Sequence, residues 1–352
     1  MWLFDLFSQK KKMESAQINS PSAVLPTRTI STSSWRISPA HLLLLSKFLI
    51  GSTLDHYINA DYWGPVLKEQ PGVSLKRFLD EELLEPLDVE SGLNLRFNIS
   101  ELKDILRTKG LKVSGNKTLL VNRLIESDPD GMKKIVAESG MYKCSSAGVL
   151  YASAYLTAQA DKKNRLEQEL LSLLNNRQYK KAFRAVGAFE SSQVFPRGLG
   201  MDWNHYGSDE DVLELTAIFE KTPAILNGIS EEILGPLRLA AGMICLLGTN
   251  KTSPWLPVGY ETGVRFDADT AARMLLFYGS HLRRMNQLND TDLNGFIKGV
   301  EFSCINSDDS CAACRKMNGR KFKIRNFPEL PYPKCTSKMG CRCGMFTVFS
   351  RK

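Results

Sequence analysis

Apolar side chains recur at three- and four-residue intervals through most of this chain, a spacing that places them on one face of a helix. The pattern predicts a helix over Pro39–Asn59 and another within Tyr62–Pro86, where Leu75, Phe78, Leu79, Leu83 and Leu84 share a face. Further on it predicts helices over Ala147–Asn175, Gln178–Phe195, Asp209–Lys221, Ser230–Leu247 and Asp267–Leu288. Pro and Gly punctuate the joints at Pro196–Gly200, Pro223–Gly228 and Pro254–Gly263. The hairpin around Leu170–Phe195 resembles one unit of a helical repeat, but no second copy follows at a fixed period. Two stretches break the rule. Residues 10–35 are rich in Ser, Thr and Lys with few periodic apolar positions, the composition of a flexible arm. Phe296–Phe349 carries short β-like runs and many cysteines.

These readings give a mainly α, multi-domain protein. Its expected parts are an N-terminal arm (1–38), a helical segment (39–96), a helix–extended–helix module (97–135), a helical domain (136–295) and a small β-containing, cysteine-rich domain (296–352).

The module has both helix ends written into its sequence, FNISELKDILRTKGLKVSGNKTLLVNRLIES over residues 97–127. Asn98 followed by Glu101 has the spacing of a capping box. Leu102, Ile105 and Leu106 form one apolar stripe, and Gly110 is placed as a left-handed stop. Leu111–Val113 reads as an extended link. Ser114 is the expected N-cap of the second helix, whose Leu120 and Leu124 face back to the first. The free N–H groups of Gly115, Asn116 and Lys117 would then sit at a helix start, where unpaired donors and the dipole attract an anion. Lys117 and Lys112 add positive charge there, and Asn116 shares a helix face with Arg123. Glu101, Asp104, Glu126 and Asp128 dilute that charge.

This string resembles the SAP family of DNA-binding motifs. Leu102, Leu106, Gly110–Leu111, Ser114–Gly115, Lys117, Leu120 and Arg123–Leu124 fall where that family keeps leucine, glycine, lysine and arginine. The resemblance implies DNA contact by the start of the second helix and the loop before it, mostly through the backbone and minor groove and often at A·T-rich sites. Lys112, Ser114, Gly115, Asn116, Lys117 and Arg123 are the expected contact residues. Some relatives bind RNA, which stays open as a partner.

Six of the eight cysteines fall at 304, 311, 314, 335, 341 and 343. A C-x2-C knuckle followed about 20 residues later by a second cluster is the spacing of a structural four-cysteine zinc site. The expected ligands are Cys311, Cys314 and Cys335, with Cys341 or Cys343 as the fourth; the C-x5-C gap favours Cys341. Cys304 is expected to be a buried, non-ligating thiol, and an iron–sulfur cluster is the minority alternative. The same tail resembles the end of a phage head-morphogenesis family on Cys311–Cys314, Gly319 with Phe322, Leu330–Cys335 and Cys341–Cys343. That implies a second reading, an assembly protein whose tail is a structural clip. Together the two resemblances imply a bacterial or phage source.

Charge sharpens this picture. The net charge is +8, yet the segment from Cys311 to Lys352 alone holds eleven Lys or Arg against one acid, Glu329, so the remainder is close to neutral. The longest apolar run, Leu239–Leu247, is far short of the roughly 20 residues that a spanning helix needs. Met1–Phe7 precedes the basic cluster Lys10–Lys12, the reverse of a secretory signal, so a cytoplasmic location with reduced cysteines is expected. The four histidines (His41, His56, His205, His281) are isolated, and no phosphate-binding loop motif is present. Asp209–Asp211 and Asp267–Asp269 fall at helix starts, where capping explains them. The expectation is therefore a DNA-binding protein rather than an enzyme, with the central helices available to a protein partner. A nucleic-acid enzyme tethered by the module is the third reading.

Overall fold

The breaks in the helical pattern account for the first departures from it. Gly51, at φ +116°, turns the chain where an L-residue is strained, and a Cβ there would lie 2.6 Å from Leu87 Cδ1. The segment expected to be one helix over Pro39–Asn59 is therefore split into α1 (Pro39–Ser46), strand β1 (Ser52–Thr53) and α2 (Leu54–Ile58). In the computed structural model, residues 34–198, 200–252, 254–290, 297–305 and 310–349 are described. Residues 1–33 of the expected arm lie outside them. The chain divides into two units, Met1–Ser38 and Pro39–Lys352. In the first, Ser34–Ile37 forms a 3-10 turn.

Two further short helices follow, α3 (Gly64–Leu67) and α4 (Pro71–Asp80). Leu75 and Phe78 of α4 are fully buried, as their spacing requires. Glu82, at φ +55°, stops the periodic run, so Leu84 belongs not to the helix but to strand β2 (Leu84–Pro86). With β3 (Met141–Cys144) these strands make an antiparallel sheet of order β1-β3-β2, pairing Leu84 with Cys144 and Pro86 with Tyr142.

Four helices are inserted between the neighbouring strands β2 and β3: α5 (Val89–Arg96), α6 (Ile99–Thr108), α7 (Lys117–Ser127) and α8 (Pro129–Glu138). Helices α6 and α7 are those of the module. Their shared core joins Leu102, Leu106, Leu120, Val121 and Leu124 to Leu93 of α5 and to Met132 and Val136 of α8. Gly92 lets α8 approach closely, since a Cβ there would meet Val136 at 2.5 Å. Truncating one of the fully buried leucines to alanine costs about 2–5 kcal/mol in such a core.

Helix α9 (Ser146–Asn175) starts directly after β3, capped by Ser145. It packs on α1, and its Leu166, Leu170 and Leu174 enter a second core formed with α10 (Tyr179–Ser191), α11 (Asp209–Glu220), α12 (Glu231–Leu247) and α13 (Ala268–Asp290). Each of these five helices lies where periodicity placed it; α10 stops at Ser191, four residues short of Phe195. The acidic clusters serve as caps. Asp211 closes a capping box with Ser208, and Asp267 Oδ1 accepts the Thr270 N–H at 2.7 Å.

The C-terminal segment holds β4 (Ile297–Ser303), α14 (Ala312–Met317), β5 (Lys321–Phe322) and β6 (Gly344–Phe349). The strands form an antiparallel sheet of order β5-β4-β6. Val300, Phe302, Phe327 and Leu330 build its core together with Leu288 of α13 and the clustered cysteines. Among the described residues no helix is long and apolar enough to cross a membrane.

Candidate nucleic-acid interface and cysteine cluster

Helix α6 opens with the capping box that its sequence encodes. Asn98 Oδ1 accepts the Glu101 N–H at 3.0 Å, and Glu101 Oε2 accepts the Asn98 N–H at 2.7 Å. At the other end Gly110 takes φ +66°. The Leu111 N–H reaches the Leu106 carbonyl at 2.8 Å and the Gly110 N–H reaches that of Arg107 at 3.0 Å, the paired bonds of a Schellman stop. The chain then runs extended, with Leu111 and Val113 half-buried against the module core and Lys112 and Ser114 exposed between and after them.

Gly115 has φ +128°, which no first-turn residue of a helix can adopt. Helix α7 therefore starts beyond it. Its N-cap is Asn116, whose Oδ1 accepts the Leu119 N–H at 3.0 Å, and not Ser114 as the sequence pattern suggested. The N–H groups of Lys117 and Thr118 remain without a helical acceptor at this exposed end. A Cβ on Gly115 would lie 3.1 Å from Leu119 Cβ, so the bend is also tightly packed.

The two cations on α7 are engaged by the fold itself. Lys117 is half-buried, and its Nζ donates to the Asn94 carbonyl in the last turn of α5 at 2.5 Å. Arg123 Nη1 donates to the carbonyls of Lys112 and Ser114, the latter at 3.2 Å, and so braces the extended link from behind. Lys112 remains exposed at the rim of the helix start. Of the acids expected to oppose an anion, two are ion-paired and a third is occupied by a cap. Glu101 closes the cap, Asp104 pairs with Arg107, and Asp128 pairs with Lys109 at 2.7 Å while capping α8. The Lys109 ammonium and the Gly131 N–H hold the Asp128 carboxyl below its usual range.

In the C-terminal segment the cysteines converge as their spacing implied. Cys311 caps α14, its Sγ accepting the Cys314 N–H at 3.4 Å. Its sulfur lies 3.9 Å from that of Cys335. The sulfurs of Cys311, Cys314 and Cys335 all fall within 4.8 Å of one another, and so do those of Cys314, Cys341 and Cys343. Five thiols thus form one patch with Cys314 common to both triads, and such a cluster can hold a metal ion. Cys304 is buried in the same core but belongs to neither triad. Burial would push the Cys311 thiol up, but N–H donors from Thr336 and Cys314 outweigh it and bring the thiol down to about 6. A backbone N–H from Tyr332 points at Cys341 Sγ at 3.2 Å.

Sequence reasoning did not find α5 and α8, which complete the module core, or the carbonyls that occupy Lys117 and Arg123. Those partners lie 9 to 23 residues away in the chain and carry no side-chain signal.

Residues 96–129 match the family model of the SAP domain. No curated protein and no solved structure matches the chain.

Proposed function

We propose that this protein binds DNA through the loop 111–116 and the first turn of α7, and acts by binding rather than by catalysis. The match of residues 96–129 to the SAP domain supports nucleic-acid binding in general. The observation that carries the finer reading is the exposed start of α7. There Gly115 removes a side chain, the Lys117 and Thr118 N–H groups lack helical acceptors, and Lys112 flanks them. Such a surface takes up a phosphate, so affinity is largely independent of sequence and falls as salt rises. In this reading Asn116 fixes the helix start, while Lys117 and Arg123 hold the surface in shape. Ser114, exposed in the same loop, is a further phosphate contact.

The cysteine patch is a structural zinc site in this proposal, with Cys311, Cys314 and Cys335 as ligands and Cys341 as the fourth. Tetrahedral zinc at ~2.3 Å from each sulfur sets sulfur–sulfur edges of about 3.8 Å, and the Cys311–Cys335 separation of 3.9 Å fits that edge. The ion would tie α14, the Cys335 turn and the approach to β6 into one unit.

Fluorescence anisotropy of a labelled duplex with the full chain tests the DNA assignment. Charge reversal by Lys112→Glu is expected to weaken duplex binding by about tenfold or more at low salt, since it replaces an attraction by a repulsion at one phosphate. Unchanged duplex affinity in that variant would overturn the assignment of this surface.

A further inference from the structure

The basic tail is unused by the module, and its sheet shows a second surface. Among the described residues from Ser310 to Phe349 there are nine Lys or Arg, all exposed, against the single acid Glu329. That acid is already committed, since its carboxylate accepts the Ala224 N–H at 2.7 Å. The excess is thus a field of solvated positive charge on a unit of about forty residues, far above the density elsewhere in the chain.

The sheet β5-β4-β6 has two unlike faces. Val300 and Phe302 of β4 point into the core, where Phe322 of β5 packs against them. The alternate positions face the other way. Across that outer face Lys321 of β5, Glu301 of β4 and Phe346 of β6 stand in register as directly paired residues. Paired side chains share a face, so Lys321 and Phe346 lie two strand spacings, about 10 Å, apart. Phe346 is 63% exposed. Glu301, which lies between Lys321 and Phe346 on the central strand, is countered by Lys321, 3.9 Å away. Lys323 and Arg325 continue the cationic run just beyond β5.

We infer that this outer face binds single-stranded DNA, with Phe346 as a stacking platform for an unpaired base and the surrounding cations on the phosphates. Charge complementarity names a polyanion as the occupant. An exposed ring within a cationic field selects one whose bases are free to stack, which a duplex does not offer. The inference does not depend on the duplex surface at α7, which lies on different elements.

The test is titration of the full chain into a labelled 20-nucleotide oligo(dT) and a labelled duplex, using wild type, Phe346→Ala, Lys321→Gln/Lys323→Gln/Arg325→Gln and Lys112→Glu. Phe346→Ala should weaken oligo(dT) binding roughly tenfold, the loss expected for one base–aromatic stack, and leave duplex binding within about twofold. The triple variant should flatten the salt dependence of oligo(dT) binding. Lys112→Glu should weaken the duplex and spare the oligo(dT). Because Phe346 is exposed, unchanged circular dichroism and metal content should accompany its loss of binding. Absence of oligo(dT) binding by wild type overturns the inference. So does binding that Lys112→Glu abolishes and Phe346→Ala preserves.

Discussion

Arg123 and Lys112 offer the sharpest test of how the module works, because the structure gives them opposite tasks on one loop. Arg123 donates to the Lys112 and Ser114 carbonyls, whereas the Lys112 side chain is exposed toward any ligand. Removing the guanidinium by Arg123→Ala deletes two hydrogen bonds from a charged donor at a half-exposed position. At about 0.5–1 kcal/mol net for each, the bound-competent loop loses about 1–2 kcal/mol relative to its open forms. Once opening dominates, that corresponds to a 5- to 30-fold weaker duplex affinity. No phosphate contact disappears, so the slope of log K against log salt should stay as in wild type. Lys112→Ala removes one phosphate contact and leaves the loop braced, so its slope should fall by about 0.9. Anisotropy titrations of the three proteins at four salt concentrations separate the two cases. A slope reduced by about one in Arg123→Ala would refute the bracing role and make Arg123 a phosphate ligand.

Three other outcomes follow from the same structure. Gly115→Ala places a side chain at φ +128° and 3.1 Å from Leu119 Cβ, and should cost about 1–3 kcal/mol of module stability with a matching loss of DNA affinity; melting temperature and anisotropy check it, and a neutral substitution would contradict the strained bend. Cys335→Ser should bring zinc content below one ion per chain and lower the melting temperature, whereas Cys304→Ser should leave zinc content unchanged; a chromophoric zinc assay on unfolded protein reads both, and equal zinc in the two variants would remove Cys335 from the site. Burial would raise the Glu69 carboxyl, but hydrogen bonds from Arg77, Ser74 and His41 outweigh it and hold it at about 2, below the ordinary 4.5. Its contribution is thus fully present above pH 4.5 and is lost as pH falls toward 2; discounted for partial exposure it is about 2 kcal/mol. Glu69→Gln should therefore be less stable than wild type at pH 6, with the gap reduced to a fraction of that size at pH 2.5 by denaturant titration, and a gap independent of pH would contradict the account.

Several helix ends were legible from local capping signals. Asn98 with Glu101, Gly110, and the acidic starts of α11 and α13 are local signals, and each sits where it was read. The start of α7 was misplaced by two residues because Ser114 and Asn116 are both good caps; the backbone angle at Gly115 decides between them, and a sequence does not print that angle. Strands β1, β2 and β3 have two to four residues each, too few for alternation to register, and so the first sheet went unseen. The cysteine spacing gave the cluster. It did not separate Cys341 from Cys343 for a physical reason, since both lie in the buried patch beside Cys314.

The way the module is attached bears on what it can do. Helices α5 to α8 leave the first sheet after Pro86 and return to it before Tyr142, and those two residues are paired partners. The Leu87 N–H also bonds to the Met141 carbonyl at 3.1 Å, closing the base of the insertion. A domain held by two adjacent strands cannot swing as one does on a single flexible linker. Ser145, directly after β3, caps α9 and donates its hydroxyl to the Glu82 carbonyl just before β2. The start of the 30-residue α9 is thus fixed to the same base as the module. A duplex seated on α7 would accordingly have a set bearing relative to the first turns of α9. Lengthening the connection after Pro86 by a flexible insert should leave the intrinsic affinity of the module unchanged and abolish that bearing. Distance distributions between a label on bound duplex and one on an exposed position of α9 should broaden in the insert variant, and equal widths in the two proteins would show that the two-strand attachment does not restrain the module.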